Sequence, residues 1–312
     1  NTLIKWISNF LKDRSFYVIW NKKASKVYSI QTGVPQGSCL SPSLFILFFS
    51  DISNEIPSII PRALFADDLC IWFSHKSKKI IRLQLQAAIC NISNYCDFWH
   101  LIINKKKSYY TIFTTSGHRS NYVRTYSINL QIKDTHIPLE PHPTFLGITL
   151  DPKLNYKKHF KKISDKLVPR LNLIKKIKIL GLNSVLINSI IYKSCIQSVF
   201  DYAFIILNVS TQRIDIHLQA LQNRILKNIR YFPPGTSSAQ IHKFFNISNL
   251  KDRMKFLLSK FLLTRLNHDQ ISKDLSSYKK ENLQSPKRFE TPFDLLDKLS
   301  SNNLQQQSLL SE

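Results

Sequence analysis

Two adjacent aspartates, Asp67 and Asp68, stand between the apolar runs 63–66 and 69–73, and no other stretch constrains the fold as tightly. Both runs are rich in residues that suit strands, so the pair reads as the tip of a tight β-hairpin. Two like charges side by side are unfavourable unless something positive compensates, either a bound cation or a basic partner. A divalent metal is the commonest functional solution, and magnesium prefers one or two carboxylates plus substrate phosphates. That is the chemistry of nucleotidyl transfer. The same dipeptide also occurs at exposed turns and helix starts, where it is merely solvated. Its surroundings decide between the two.

Upstream runs Gln31-Thr32-Gly33-Val34-Pro35-Gln36-Gly37-Ser38-Cys39-Leu40-Ser41-Pro42, leading straight into Leu44-Phe45-Ile46-Leu47-Phe48-Phe49. Two glycines bracket Pro35-Gln36, which suits a backbone that turns sharply and lets a substrate approach closely. Ser41 and Pro42 read as an N-cap and a first helical position.

Together these two motifs resemble the palm of a reverse transcriptase of the non-LTR retrotransposon type, in particular the jockey-like group of insects and other arthropods. Leu101-Ile102-Ile103-Asn104-Lys105-Lys106-Lys107 is similar to the family's Leu-x-x-Asn-x-x-Lys segment. Phe145-Leu146-Gly147-Ile148-Thr149-Leu150-Asp151 resembles its primer-grip hairpin. Ile191-Tyr192-Lys193-Ser194 and Leu221-Gln222-Asn223-Arg224-Ile225-Leu226-Lys227 look like the helical segment that follows the palm. Four motifs in the right order make a strong signal, whereas any one alone is weak. Group II intron maturases share the palm, but the helical region after Asp151 is more similar to the retrotransposon group.

The resemblance implies an α+β chain: a partial polymerase palm, with an antiparallel sheet and helices on one face, followed by an all-helical thumb-like unit. The expected divisions are 1–151 for partial fingers and palm, 152–267 for the thumb-like region and 268–312 for a polar, disordered tail. It implies that Asp67, and secondarily Asp68, bind Mg2+ (or Mn2+), and that Pro35, Gln36, Gly37 and Ser38 meet template and incoming nucleotide. Lys107 resembles the lysine proposed to neutralise the pyrophosphate leaving group; its other reading is one of three consecutive exposed lysines. Phe145, Leu146 and Gly147 would position the primer end, although Phe145 and Leu146 suit plain strand core equally well. The partners implied are an RNA template, a DNA primer and deoxynucleoside triphosphates.

One departure stands out. The family carries another metal-binding aspartate on an earlier strand, yet the only acid upstream of Gln31 is Asp13, in a segment that reads as a helix-to-strand turn. Asp67 and Asp68 alone are poorly suited to hold two bridged cations. The chain reads as a piece of a longer polyprotein, expected to be inactive by itself. A degenerate relic, or a repurposed nucleic-acid-binding protein, is the alternative. No endonuclease or ribonuclease H segment is legible.

Forty-four Lys and Arg against twenty Asp and Glu give a formal net charge of +24, and a polyanion such as nucleic acid is the default partner of so basic a chain. The excess concentrates in one predicted helix, where Lys157, Lys158, Lys161, Lys162 and Lys166 face little but Asp151 and Asp165. Phosphates neutralised there would release counterions and make binding salt-sensitive; a solvated helix face is the plainer reading. The five cysteines show no Cys-x-x-Cys spacing with nearby histidines, so no zinc site is expected, and their apolar settings suit reduced thiols. No signal peptide or membrane-spanning stretch is legible, so the expected setting is intracellular, in nucleus and cytoplasm.

Periodicity predicts a helix over 2–12, a hairpin over 16–30 turning at Asn21-Lys22-Lys23, and helices over 41–54 and 77–100. A strand is expected over 109–114, with short strands up to Asp151. Beyond Asn155 helical spacing takes over, with Pro169 as a kink, Asn183 or Ser184 as a cap, a buried helix pair over 185–209, and helices over 212–229 and 250–266.

Overall fold

Short antiparallel strand pairs and helices share the first part of this α+β chain, and helices carry the rest. The computed structural model describes residues 2–114, 122–181, 184–208, 212–265 and 268. Of these, everything up to Ile112 together with 122–140 forms one compact unit, and Phe113, Thr114 and the residues from Pro141 onward form a second. The polar tail, the loop at Ser116-Gly117-His118 and Asn183 fall outside the described residues.

The first unit opens with helix α1 (Thr2–Leu11) and four strands, β1 (Arg14–Phe16), β2 (Ile19–Trp20), β3 (Lys23–Ala24) and β4 (Tyr28–Ile30). Trp20 pairs with Lys23, so the turn is Asn21-Lys22, and both residues have positive φ, 48° and 64°. That is the backbone twist a two-residue hairpin requires. Helices α2 (Ser41–Phe49) and α3 (Ile52–Glu55) lead into strands β5 (Arg62–Phe65) and β6 (Asp68–Ile71). Helix α4 (Lys78–Phe98), the short helix α5 (Tyr122–Tyr126) and the pair β7 (Gln131–Ile132) and β8 (Thr135–His136) complete the unit.

The second unit starts with strands β9 (Thr144–Phe145) and β10 (Ile148–Thr149), followed by helix α6 (Lys157–Ile179). Asp151 orders the turn that leads into α6: its carboxylate accepts the backbone N–H groups of Lys153, Asn155 and Tyr156, the last being the residue just before the helix. Then come α7 (Val185–Ile191), a π-helical turn (Tyr192–Gln197), α8 (Ser198–Tyr202), α9 (Phe204–Asn208), α10 (Gln212–Ile229), α11 (Ser238–Phe245) and α12 (Leu250–Arg265). Ser237 and Gln240 close a reciprocal capping box on α11, and Asn246 ends that helix in the left-handed conformation. Phe160, Ile163, Leu167, Leu171 and Ile174 recur at three and four along α6 and are all buried, meeting Tyr192, Ile196, Leu218 and Ile225 in one core. Burying each such side chain stabilises by about 1.5–3 kcal/mol.

Several expectations are corrected. The described strands form five separate two-stranded sheets, not one antiparallel sheet, because each strand is only two to four residues long. The strand expected over 109–114 reduces to a single parallel bridge between Tyr110 and Leu139; the backbone of Ile112 is instead engaged by the Tyr122 hydroxyl, which accepts from its N–H at 3.1 Å and donates to its carbonyl at 2.5 Å. That tyrosine sits on α5, a helix where strands were expected. Over 185–209 the pair of helices is a chain of shorter pieces joined by the π-helical turn, whose Cys195 carbonyl accepts from the Arg170 guanidinium. Ser41 is no N-cap: α2 begins at Ser41 with Leu40 before it, and no side chain caps the start.

Candidate functional site

The aspartate pair lies where the hairpin reading put it. Phe65 pairs with Asp68 across β5 and β6, leaving Ala66-Asp67 as the turn. Ala66 takes φ 51°, a left-handed backbone uncommon for a residue with a Cβ. One strand position back, Leu64 pairs with Leu69, and both pack on the core of Phe49, Ile52, Tyr95 and Cys96. Alternation along a strand then turns Phe65 and Asp68 to the opposite face. Phe65 is 63% exposed, and Asp67 and Asp68 are exposed too. Among the described residues neither carboxylate has a hydrogen bond or an ion pair. The repulsion within the pair is therefore left to solvent, or to a cation from outside the chain.

The glycine-flanked loop is tied at both ends. On one side the Arg14 guanidinium donates to the carbonyls of Thr32 and Gly33, at 3.2 and 2.6 Å. On the other, the Ser41 hydroxyl donates to the Pro35 carbonyl at 2.5 Å. Between these ties Ser38 N–H closes a turn onto the same carbonyl at 3.4 Å. Gly37 takes φ 90° with nothing within 4 Å of where a Cβ would stand, so its side is open to a ligand, and a substitution there is strained by the backbone alone. Gln36 and Gly37 are exposed, Pro35 and Ser38 half-buried.

Lys107 follows a tight turn in which its N–H donates to the Asn104 carbonyl at 3.0 Å. Its neighbour Lys105 is engaged with Thr135 at 2.9 Å. Leu101 and Ile103, just upstream, pack on the same core as Leu64 and Leu69, and so does Phe45 of α2. One small apolar cluster thus anchors the carboxylate hairpin, the helix that follows the loop, and the segment carrying Lys107.

The remaining expected residues belong to the second unit. β9 and β10 pair as a hairpin with Phe145 opposite Ile148, turning through Leu146 and Gly147 at φ 46° and 76°. Phe145 and Leu146 are half-buried and Gly147 is exposed. On α6, Lys157, Lys158, Lys161, Lys162 and Lys166 are exposed. At about 100° per residue they lie away from the buried stripe of Phe160, Ile163 and Leu167. None reaches a carboxylate among the described residues. Lys162 differs from the rest, with its ammonium 2.7 Å from the Thr149 hydroxyl and 3.4 Å from that of Thr144.

Sequence reasoning missed Arg14 and Ser41 as the ties of the loop, and Tyr202 and His159 as partners of the 144–149 hairpin. Ser41 carried a signal, since a serine before Pro42 had to bond somewhere. Tyr202 carried none, as its partner lies 56 residues away.

Two exposed, unpartnered carboxylates suit one hard cation shared with phosphate oxygens. Among the described residues no group of three or more His, Cys, Asp and Glu side chains could hold a metal by itself. No described helix is long and apolar enough to cross a membrane.

Residues 1–150 match the family model of reverse transcriptase (RNA-dependent DNA polymerase). The chain is 26% identical over 271 residues to the RNA-directed DNA polymerase from mobile element jockey of Drosophila melanogaster, covering 84% of this chain and 28% of that protein. It is 23% identical to the probable RNA-directed DNA polymerase from transposon BS of the same species, covering 85% and 30%, and 23% identical to that from transposon X-element, covering 86% and 28%. The chain thus spans less than a third of the length of these relatives. No solved structure matches it. Residues 1–150 are thus similar to the reverse transcriptase family, and most of the chain is similar to the RNA-directed DNA polymerases of Drosophila mobile elements.

Proposed function

We propose that the chain is part of an RNA-directed DNA polymerase that extends a DNA primer on an RNA template, with residues 1–151 as partial fingers and palm and 152–267 as a thumb-like region. The observation that carries this reading is the exposed Asp67-Asp68 pair at the tip of its hairpin, standing on the same apolar core as the Gln36 loop helix and the Lys107 segment. Primer extension forms a bond between the primer 3′-oxygen and the α-phosphorus of a nucleotide, and breaks the bond to pyrophosphate. A divalent cation supplies, when bound, the positive charge that such an in-line displacement needs.

Asp67 is the first choice of ligand for that cation, and Asp68 shares or tunes the site. Gln36 and Gly37 border the nucleotide and template, where an open glycine lets backbone and substrate approach. Lys107 offers its ammonium to the leaving pyrophosphate. The 144–149 hairpin positions the primer end. Lys157, Lys158 and Lys161 neutralise backbone phosphates, so binding weakens as salt rises.

Asp67→Asn in the full-length element is expected to abolish primer extension while RNA binding stays near normal. Extension retained by that variant would remove the catalytic assignment. Binding without any Asp67-dependent extension in the parent would leave a nucleic-acid-binding role instead.

A further inference from the structure

The hairpin of β9 and β10 is fastened to the helices of its own unit at both tip and base, by three side chains. At the tip, the Tyr202 hydroxyl on α8 donates to the Leu146 carbonyl at 2.5 Å. The same ring lies against Gly147: a Cβ added there would be 3.4 Å from Tyr202 Cε1. At the base, Thr149 is 2% exposed. Its N–H donates to His159 Nδ1 at 3.2 Å, and its hydroxyl accepts from Lys162 at 2.7 Å. Lys162 also reaches the Thr144 hydroxyl at 3.4 Å, bridging both strands.

A two-stranded hairpin with strands of two residues has no stability of its own. Its orientation must come from what holds it, and here the holders are α6 and α8. Lys162 and His159 project from the same helix whose outward lysines face solvent. Any displacement of the hairpin relative to that lysine face would break bonds at Thr149.

We propose that Tyr202, His159 and Lys162 are positioning residues that join the 144–149 hairpin and the lysine face of α6 into one rigid element for holding the primer strand. This rests on the primer-end role given to the hairpin above. Lys162 therefore acts on the hairpin, whereas Lys158 acts on phosphate. Substituting either residue separates the two roles.

Two measurements on the full chain test this. The first is backbone hydrogen exchange over 144–150 in Tyr202→Phe and Lys162→Met, with Lys158→Met as control. The second is photocrosslinking from a 4-thiothymidine at the primer 3′ end of an RNA–DNA duplex, with crosslinked residues mapped and duplex affinity measured in parallel. Tyr202→Phe should speed exchange of the hairpin amides roughly fivefold, the equivalent of one hydrogen bond. It should lower crosslinking to the hairpin by a similar factor while duplex affinity stays the same. Lys158→Met should weaken affinity and leave the crosslinked residues and the exchange unchanged.

Unchanged exchange in Tyr202→Phe and Lys162→Met overturns the latch. Faster exchange with undiminished crosslinking overturns the positioning role but leaves the primer-end role intact. If the parent chain crosslinks elsewhere than the hairpin, the primer-end role itself fails, and the proposal with it.

Discussion

The backbone N–H of Thr149 donates to Nδ1 of His159 at 3.2 Å, which requires that nitrogen to carry no proton. His159 is 6% exposed, and its Nε2 has no partner among the described atoms. Burial, and then the ammonium groups of Lys166 and Lys162, hold its pKa below the ordinary 6.5. A histidine kept neutral by folding gives stability that is complete above the unfolded value and declines as pH falls below it. Thermal unfolding of the chain should therefore show an acid limb starting near pH 6.5. In His159→Asn the amide oxygen can still accept from Thr149 but does not titrate, so this limb should flatten. An unchanged acid limb in that variant would count against His159 as its source.

At the other end of the pH scale the group to watch is Tyr192, fully buried in the helical core. Its hydroxyl accepts from the Gln222 amide at 2.8 Å. Burial, with a smaller contribution from Asp201, outweighs the Gln222 bond and the Arg253 charge, and pushes its pKa from 10 up to about 12. A phenol ionises more easily once unfolded, so its contribution is intact below pH 10 and is lost between pH 10 and about 12. Tyr192→Phe should reduce the steepness of alkaline unfolding in that window. At neutral pH the lost bond should cost about 1 kcal/mol, held down because Gln222 keeps a second acceptor in the Ser248 carbonyl. Denaturant titrations at neutral and alkaline pH measure both effects.

Gly147 joins two constraints that Gly37 does not. Both have positive φ, but only Gly147 has a neighbour, the Tyr202 ring, where a Cβ would go. Gly147→Ala should destabilise the second unit by about 1–2 kcal/mol, mostly through the left-handed backbone. It should also speed hydrogen exchange at the hairpin tip, because the strained turn carries the Leu146 carbonyl that Tyr202 holds. Gly147→Asn should cost less, since asparagine tolerates that backbone. Equal costs for the two substitutions would mean that the φ is not what glycine supplies here.

Much of this was legible before any coordinates, and the reason is local. The carboxylate hairpin, a turn within Asn21-Lys22-Lys23 and the stripe of α6 are all encoded within a few residues, where turn chemistry and period act directly, whereas the 144–149 hairpin was legible through resemblance. The false strand at 109–114 shows the limit. Its alternating residues suit a strand, but strand formation needs a partner edge, and the chain instead supplied the phenol of Tyr122. Likewise the ties on Leu146, Thr149 and Pro35 involve hydroxyls and an imidazole whose partners are set by packing. Only the roles that chemistry requires at a given spacing can be read from spacing.

Ser41 shows how a local rule can mislead at a site. Serine before proline at a helix start is the pattern of an N-cap, yet its hydroxyl turns back 2.5 Å from the Pro35 carbonyl. Pro42, at the start of α2, has no N–H in need of an acceptor, and the helix begins without a side-chain cap. The hydroxyl is thereby free to hold the turn that presents Gln36 and Gly37. Ser41→Ala should leave α2 in place and lower stability by no more than about 1 kcal/mol. Its main effect should be local: the Ser38 amide, bonded to that same carbonyl, should exchange several-fold faster, by roughly the factor one hydrogen bond is worth. If the loop borders the nucleotide, the full-length Ser41→Ala element should show a raised KM for nucleotide with little change in kcat. A fall in kcat alone would tie Ser41 to the chemistry instead of to the shape of the loop.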